Sequence, residues 1–273
     1  GTETLEATTT GANNTAVGLS ALTANTTGYS NVAVGMNALD ANTTANHNIA
    51  IGVSSLGTNT TGATNVAVGD SALFANTTAD YNTAVGHSAL NANTTGERNI
   101  AVGALALDAN TTGTYGVAIG YSALGANTTA DGNTAVGYNV LGANTTGNAN
   151  VGLGQNALAA NTTASNNTAV GKSALEANTT GTQNIAVGAI AGDALTVGGA
   201  NIAVGYASLS SDTQGSKSIA IGTGALFTQN FTTATNAYNV AVGDSAGNAV
   251  TTGVQNTLIG GLAGDALTTS ANN

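Results

Sequence analysis

The chain contains no proline, no cysteine and no tryptophan, and only 6% of its residues are charged. Without cysteine it can hold neither a disulfide scaffold nor a thiolate-ligated zinc or iron–sulfur site. The missing proline, with no Gly-X-Y period, excludes collagen. Only three residues are Lys or Arg and the net charge is −10, which argues against a nucleic-acid partner because phosphate neutralisation requires basic side chains. An apolar share of 42% also argues against a disordered acidic tail.

What the 273 residues do contain is one motif repeated along the whole chain. The segment NTAVGLSALTANTTGYS begins at Asn14, and related 17-residue segments follow from Asn31 and Asn48. We number the columns of this repeat from 0, the opening Asn, to 16. Column 4 is glycine in all 15 copies, and columns 11 to 13 read Asn-Thr-Thr in the first ten. The structural positions are represented by Gly18, Gly35, Gly52, Gly69 and Gly86 in column 4, Val17 and Val34 in column 3, Leu22 and Leu39 in column 8, and Asn25 and Asn42 in column 11.

This period predicts an all-β parallel β-solenoid, or β-roll. Seventeen residues are too few for a helical hairpin repeat, which needs about 33 or more. Columns 0 to 4 alternate small or polar residues with β-branched ones, as strands do, and glycine and Asn-Thr-Thr-Gly mark turns. We expect about 16 coils stacked about 4.8 Å apart. They would form a single array over residues 1–273, regular over 1–217 and less regular, with a four-residue insertion, over 218–273.

Strand alternation divides the first strand of each coil into two faces. Columns 1 and 3 point one way, and columns 0, 2 and 4 the other. We expect Val32 and Val34 to enter the core, which leaves Asn31, Ala33 and Gly35 on a flat outer face of small residues. Because small residues permit close backbone approach, this face predicts parallel association, most simply as a homotrimer. The alternative is that Ala and Gly only relieve crowding at a corner.

The Asn-Thr-Thr tracts allow three interpretations. They can form a turn with a ladder of stacked Asn amides, which we favour. Each tract is also formally an N-glycosylation sequon. The third interpretation is ice binding through ranks of Thr, of which only one can be exposed because adjacent residues of a strand point to opposite sides.

The repeat Asn-Thr-Ala-Val-Gly-x-x-Ala-Leu-x-x-Asn-Thr-Thr-Gly resembles the repeats of bacteriophage tail fibres. It is also similar to the head repeats of trimeric autotransporter adhesins (YadA-like), in which a Val-Ala-Ile-Gly strand recurs, although 17 residues exceed the usual length of that repeat. The resemblance covers essentially the whole chain. It implies a left-handed parallel β-roll, a homotrimer and a role in surface attachment. Because no neck, coiled-coil stalk or membrane anchor follows, we favour a phage fibre or another secreted fibre.

No catalytic constellation emerges, and we expect no metal and no cofactor. The two histidines, His47 and His87, lie in variable columns. Possible partner contacts are Phe227 and Phe231, beside the insertion, and Tyr121 and Tyr138 in column 5, which could line a weak glycan-binding ridge. The alternative for the phenylalanines is that a longer corner loop packs them back onto the roll.

The sequence therefore predicts a non-enzymatic structural fibre or adhesin, extracellular or on a virion surface, acting as a stiff trimeric shaft. Its partners would be other copies of itself and a host-surface glycan or protein receptor, with no nucleic acid and no membrane insertion. Two alternatives stay open. One is a self-polymerising extracellular filament subunit, since both chain ends are in phase with the repeat, and the other is an ice-binding β-solenoid.

Overall fold

Each 17-residue repeat contributes one short strand, and these strands pair in parallel. The computed structural model describes residues 1–273 and contains no helix. Fifteen of the strands are three residues long and occupy columns 1 to 3, and two are two residues long. They are β1 (Thr15–Val17), β2 (Val32–Val34), β3 (Ile49–Ile51), β4 (Val66–Val68), β5 (Thr83–Val85), β6 (Ile100–Val102), β7 (Val117–Ile119), β8 (Thr134–Val136), β9 (Val151–Leu153), β10 (Thr168–Val170), β11 (Ile185–Val187), β12 (Ile202–Val204), β13 (Gly215–Ser216), β14 (Ile219–Ile221), β15 (Thr235–Asn236), β16 (Val240–Val242) and β17 (Thr257–Ile259).

The chain divides into two compact units, Gly1–Asn133 and Thr134–Asn273. In the first unit β1 to β7 pair in sequence order, parallel and in register. In the second, β8 to β12, β14, β16 and β17 pair in the same way, and β13 pairs with β15 beside the insertion. Equivalent columns therefore stack on one another within each unit. This confirms the predicted parallel β-solenoid with a 17-residue repeat.

The number of turns is about 14, and the prediction of about 16 is slightly too high. Dividing the chain length by 17 counts every residue as part of a full turn. However, 14 residues precede β1 and 14 follow β17, and the step from Ile219 to Val240 takes 21 residues.

The turn after each strand alternates right- and left-handed backbone, which no feature of the sequence suggests. Columns 6 and 8 have positive φ, as at Asn37 (56°) and Leu39 (51°), a conformation that non-glycine residues rarely adopt. The alternation directs successive N–H groups in opposite directions along the solenoid. Asn37 N donates to Leu19 O in the preceding coil (2.9 Å), and Leu39 N donates to Ser55 O in the following coil (3.1 Å). These inter-coil bonds offset the strain of the left-handed residues.

The two faces of the strands are the reverse of the prediction. Ala33 in column 2 is fully buried, whereas Val17 in column 3 is 57% exposed and Val34 is only partly buried. Alternation defines two faces without saying which is inside. The decisive group is the column-0 Asn, which is fully buried and whose amide donates to a backbone carbonyl, as Asn31 Nδ2 does to Ala45 O (2.8 Å). Column 2 then points inward as well, and the core consists of Ala and Leu packed between Asn ladders.

The Asn ladder predicted for column 11 is present. Asn42 Nδ2 donates to Asn25 Oδ1 (2.9 Å) in the preceding coil and to Ala45 O (3.2 Å) in its own coil. Asn25 and Asn42 are fully buried. A side chain with both amide protons engaged in the core has no room for a glycan, so glycosylation of these sequons is incompatible with the folded coil.

The second unit contains coils in which the leucine stands in column 11, in place of asparagine, and glycine takes column 8. Column 8 is Gly192 instead of Leu, and column 11 is Leu195 instead of Asn. Leu195 is fully buried and fills the space that the column-8 side chain leaves. The ladder stops there, because Leu195 cannot donate and Asn178 Oδ1 is left without a hydrogen-bond partner.

Candidate functional site: the outer sheet face

The side chains of columns 1 and 3 form an exposed apolar surface on the sheet of each unit, which we call the outer sheet face. Val17 is 57% exposed, Ile51 is 41% exposed and Leu153 is 45% exposed. Column 3 is apolar in every strand, and column 1 is Val, Ile or Thr. The face therefore carries no charge. The polar exceptions are Thr15, Thr83, Thr134, Thr168 and Thr257.

Column 5 continues the apolar surface around a corner. Leu19, Met36 and Val53 occupy this column in three successive coils and are between 42% and 46% exposed. The corner is the column-4 glycine, which has a φ of 140° at Gly35. Each of the first coils thus presents two adjoining apolar surfaces.

The area of the outer sheet face is large enough to bind a partner. A fully exposed aliphatic side chain presents roughly 60–120 Å², given about 1.5–3 kcal/mol for its burial at about 25 cal/mol per Å². With roughly a third of each exposed, two side chains on each of seven strands give on the order of 500 Å² in the first unit. The second unit, with eight strands, offers about as much. Two copies of one unit's face would bury about 1,000 Å² in total, the area that a specific interface needs.

The glycine, leucine and asparagine positions lie where the solenoid needs them, whereas Val17 and Val34 of column 3 lie on the outer sheet face instead of in the core. The column-4 glycines all have positive φ, from 133° to 140° at Gly18, Gly35, Gly52, Gly69 and Gly86. Leu22 and Leu39 are fully buried.

The predicted partner contacts divide into exposed and buried residues. Tyr121 and Tyr138 are 50% and 54% exposed, and Phe227 is 38% exposed. Phe231 is only 6% exposed. The prediction of Phe231 as a surface contact is therefore wrong, because this ring packs back into the solenoid and the inserted residues that follow it are the exposed ones.

A buried carboxylate anchors the insertion. Asp212 replaces a ladder Asn in column 11 and is fully buried. It accepts hydrogen bonds from Gly215 N (2.9 Å), Phe231 N (3.1 Å) and Gln229 Nε2 (2.6 Å). Gln229 Oε1 in turn accepts from Asn239 Nδ2 (2.8 Å). A carboxylate suits this place because all three neighbours are donors.

Arg98 is held between two tyrosines in column 16, an arrangement that our sequence reasoning missed. Its guanidinium carbon lies 5.4 Å from the Tyr81 ring centroid and 5.8 Å from that of Tyr115. Its Nη1 also lies 2.7 Å from Glu97 Oε2. The available signal was the 17-residue spacing of Tyr81, Arg98 and Tyr115, which places them in adjacent coils.

The Thr ranks of columns 12 and 13 differ in exposure. Thr26 in column 12 is partly buried and donates its hydroxyl to Thr43 O (3.0 Å) in the next coil. Thr27 in column 13 is exposed.

No group of three or more His, Cys, Asp or Glu side chains is placed to hold a metal ion. The surface contains no cavity, and the chain has no helix long and apolar enough to cross a bilayer. His87 Nε2 lies 3.6 Å from Asp70 Oδ2, and His47 contacts the Tyr29 ring edge-on, with the ring centroids 5.1 Å apart.

Partial burial raises the pKa of three aspartates in column 9 above 3.8, namely Asp40, Asp108 and Asp193. For Asp193 burial is the largest cause, and the Glu176 carboxylate raises the pKa further, while the Ser210 hydroxyl lowers it. A carboxyl with a raised pKa binds protons more readily in the folded state than in the unfolded one. Stability therefore falls as pH rises from 3.8 through the raised pKa of these groups.

We expect Asp193→Asn to stabilise the second unit at pH 7, with a smaller gain near pH 4, because the variant removes a partly buried charge and keeps an acceptor for Ser210. Urea denaturation at both pH values measures this. Asp265→Asn, in the same column but exposed, is the matched control and should change little. A pH-independent effect of Asp193→Asn would contradict the expectation.

Comparison with known proteins gives no match to any family model and none to any curated protein.

Proposed function

We propose that the chain is a non-enzymatic shaft of an extracellular or virion-surface fibre, and that its copies associate, as a homotrimer, through the outer sheet face. The observation that carries this proposal is the uncharged apolar surface that columns 1 and 3 form along the sheet of each unit. Soluble monomers rarely expose a contiguous apolar patch of more than a few hundred Å² without using it for binding.

A second copy of the chain is the partner that suits this surface. The outer side chains recur with the strand spacing of about 4.8 Å. A partner that touches every strand needs the same spacing along its whole length, and another copy has it by construction. Association about an axis parallel to the solenoid keeps equivalent residues at the same height.

The corner at column 4 supports a threefold arrangement in particular. In a trimer each chain contacts two neighbours and needs two adjoining surfaces. Columns 1 and 3 supply one surface, and in the first three coils Leu19, Met36 and Val53 of column 5 supply the other, whereas Asp70 and His87 occupy this column in the next two coils. Further along the same column, Tyr121 and Tyr138 stay candidates for contact with a glycan or protein receptor.

We expect the wild-type chain to have three times its 26.1 kDa monomer mass in solution. The double variant Ile51→Glu/Ile100→Glu should be a monomer, because it places carboxylates where copies of the face would meet. Size-exclusion chromatography with light scattering measures the mass. Circular dichroism checks that the variant keeps its fold, as expected for residues already 41% exposed.

The matched control is Thr95→Glu, which adds a carboxylate at an exposed position in column 13, away from the sheet. It should leave the trimer intact. A wild-type mass of one chain, or equal disruption by the control, would refute the association proposed here.

A further inference from the structure

A perfect repeat does not determine how copies align. On the outer sheet face, column 3 presents Val, Ile or Leu at every strand. Sliding one copy by a whole coil would again place aliphatic side chains against aliphatic side chains. Strand register is weakly specified when neighbouring positions are this uniform.

Five threonines interrupt this uniformity, all in column 1. They are Thr15, Thr83, Thr134, Thr168 and Thr257, on β1, β5, β8, β10 and β17. Their hydroxyls make no hydrogen bond within the chain. The column-12 threonines differ in this respect, since those from Thr26 to Thr111 each donate to a carbonyl of the next coil, as Thr43 does to Thr60 O (3.2 Å). The column-1 threonines thus have free hydrogen-bonding capacity on an apolar face.

We propose that these five threonines set the register in which copies of the chain associate. The inference rests on the proposed function, because it concerns the same face. Counted along the three-residue strands of each unit, the two threonines of the first unit are four strands apart, and the three of the second unit are separated by two and five strands. Within either unit, a parallel shift by one or more coils therefore brings at most one threonine opposite another. An antiparallel alignment with full overlap matches none in the first unit and two in the second, and the parallel in-register alignment matches all five.

The energetic reason is that a hydroxyl buried at an apolar interface costs free energy when it has no hydrogen-bond partner and little when it has one. A matched threonine meets the hydroxyl of its own counterpart and can exchange a hydrogen bond with it. An unmatched one is covered by Val or Ile and loses its hydrogen bonds to water without replacement. Polar residues at single core positions fix the register of coiled coils in the same way. Column 3 would then supply affinity and column 1 would supply alignment.

The first test moves one threonine by one strand without changing composition. The variant Thr83→Val/Val66→Thr should associate with itself as the wild type does. Mixed oligomers with the wild type should be about tenfold rarer than statistical mixing predicts, since tenfold corresponds to about 1.4 kcal/mol. Co-refolding of two chains with different labels, followed by native mass spectrometry, counts the mixed species. Val66→Ile is the matched control and should mix statistically with the wild type. Statistical mixing of the threonine variant would overturn the proposal.

The second test reads the register directly and uses the absence of native cysteine. Disulfides require Cα atoms about 4.4–6.8 Å apart, whereas a two-coil offset adds about 9.6 Å. Val34→Cys and Val68→Cys chains, mixed in equal amounts, should cross-link only like with like. When all five threonines are changed to Val, mixed cross-links should appear.

The outcomes separate this inference from the proposed function. A wild-type chain that stays monomeric refutes the shaft and the register together. A wild-type oligomer with mixed cross-links, or a threonine-free variant that keeps a single register, refutes the register alone and leaves the shaft standing.

Discussion

Replacing Gly86 with alanine is expected to lower the unfolding free energy of the first unit by about 3–5 kcal/mol. Gly86 has a φ of 133°, in a region that side chains rarely adopt. A Cβ there would lie 2.6 Å from the carbonyl carbon of Gly103 and 2.7 Å from its oxygen. Both atoms belong to the stacked backbone of the next coil and cannot move without breaking inter-coil hydrogen bonds.

Urea denaturation measures the loss, and hydrogen-exchange protection of the amides in β5 and β6 shows whether it is local to this coil. The matched control is Gly62→Ala in column 14, where a Cβ would approach Ala79 O even more closely. Column 14 already carries alanine in the neighbouring coils, at Ala45 and Ala79. Gly62→Ala should therefore cost about 1 kcal/mol or less. Equal losses in the two variants would show that backbone dihedrals do not decide the glycine columns.

The glycine columns and the Asn ladder could be predicted from the sequence because every coil needs the same residue at the same position. In a stack of similar coils, such a residue recurs every 17 positions and is visible as a constant column. Gly35 and Asn42 were recognised in this way, and both have the expected roles.

The direction of the strand faces could not be predicted by the same reasoning. Val34 and Ala33 alternate in either orientation, and burial of the larger residue is the ordinary expectation. The outcome depends on the column-0 Asn, which lies on the same face of the strand as Ala33, is fully buried and donates to a backbone carbonyl, so that column 2 is buried with it. The left-handed φ of Leu39 itself is set by inter-coil hydrogen bonding and leaves no trace in residue type. The outer sheet face was therefore not predicted as the candidate site. Columns 1 and 3 were expected in the core and columns 0, 2 and 4 outside, and the structure has the opposite orientation.

Some coils of the second unit have glycine in column 8 and leucine in column 11. We therefore expect the same two substitutions to compensate for each other when they are made together in a coil of the first unit. Leu90 and Asn93 occupy columns 8 and 11 of one coil. We expect Leu90→Gly and Asn93→Leu to cost about 3–5 kcal/mol each when made alone. The first leaves a cavity. The second crowds the core and removes the donor that Asn93 Nδ2 provides to Asn76 Oδ1 (3.1 Å) and Gly96 O (2.9 Å).

The double variant Leu90→Gly/Asn93→Leu should be about 2–3 kcal/mol more stable than the sum of the single losses, at the upper end of measured couplings. A double-mutant cycle by urea denaturation gives this number. The same two substitutions placed in different coils, Leu73→Gly with Asn93→Leu, form the control and should couple more weakly. Simple additivity in the same-coil pair would contradict the compensation.

The reason to expect coupling is visible in each coil where the exchange occurs naturally. A Cβ added at Gly192 would lie 3.2 Å from Leu195 Cδ1, and one added at Gly264 would lie 2.9 Å from Leu267 Cδ1. The leucine of column 11 thus reaches the space of column 8, so only one of the two columns can hold it. Replacing the column-11 Asn leaves polar groups unpaired, as at Asn178 Oδ1, which has no partner where the ladder stops. The double variant should leave Asn76 Oδ1 without its donor and remove the acceptor that Asn93 Oδ1 provides to Asn110 Nδ2 (2.9 Å). Full recovery of stability is therefore not expected: single losses of about 3–5 kcal/mol each and a coupling of about 2–3 kcal/mol leave the double variant about 3–8 kcal/mol less stable than the wild type, and the interrupted ladder accounts for part of that loss.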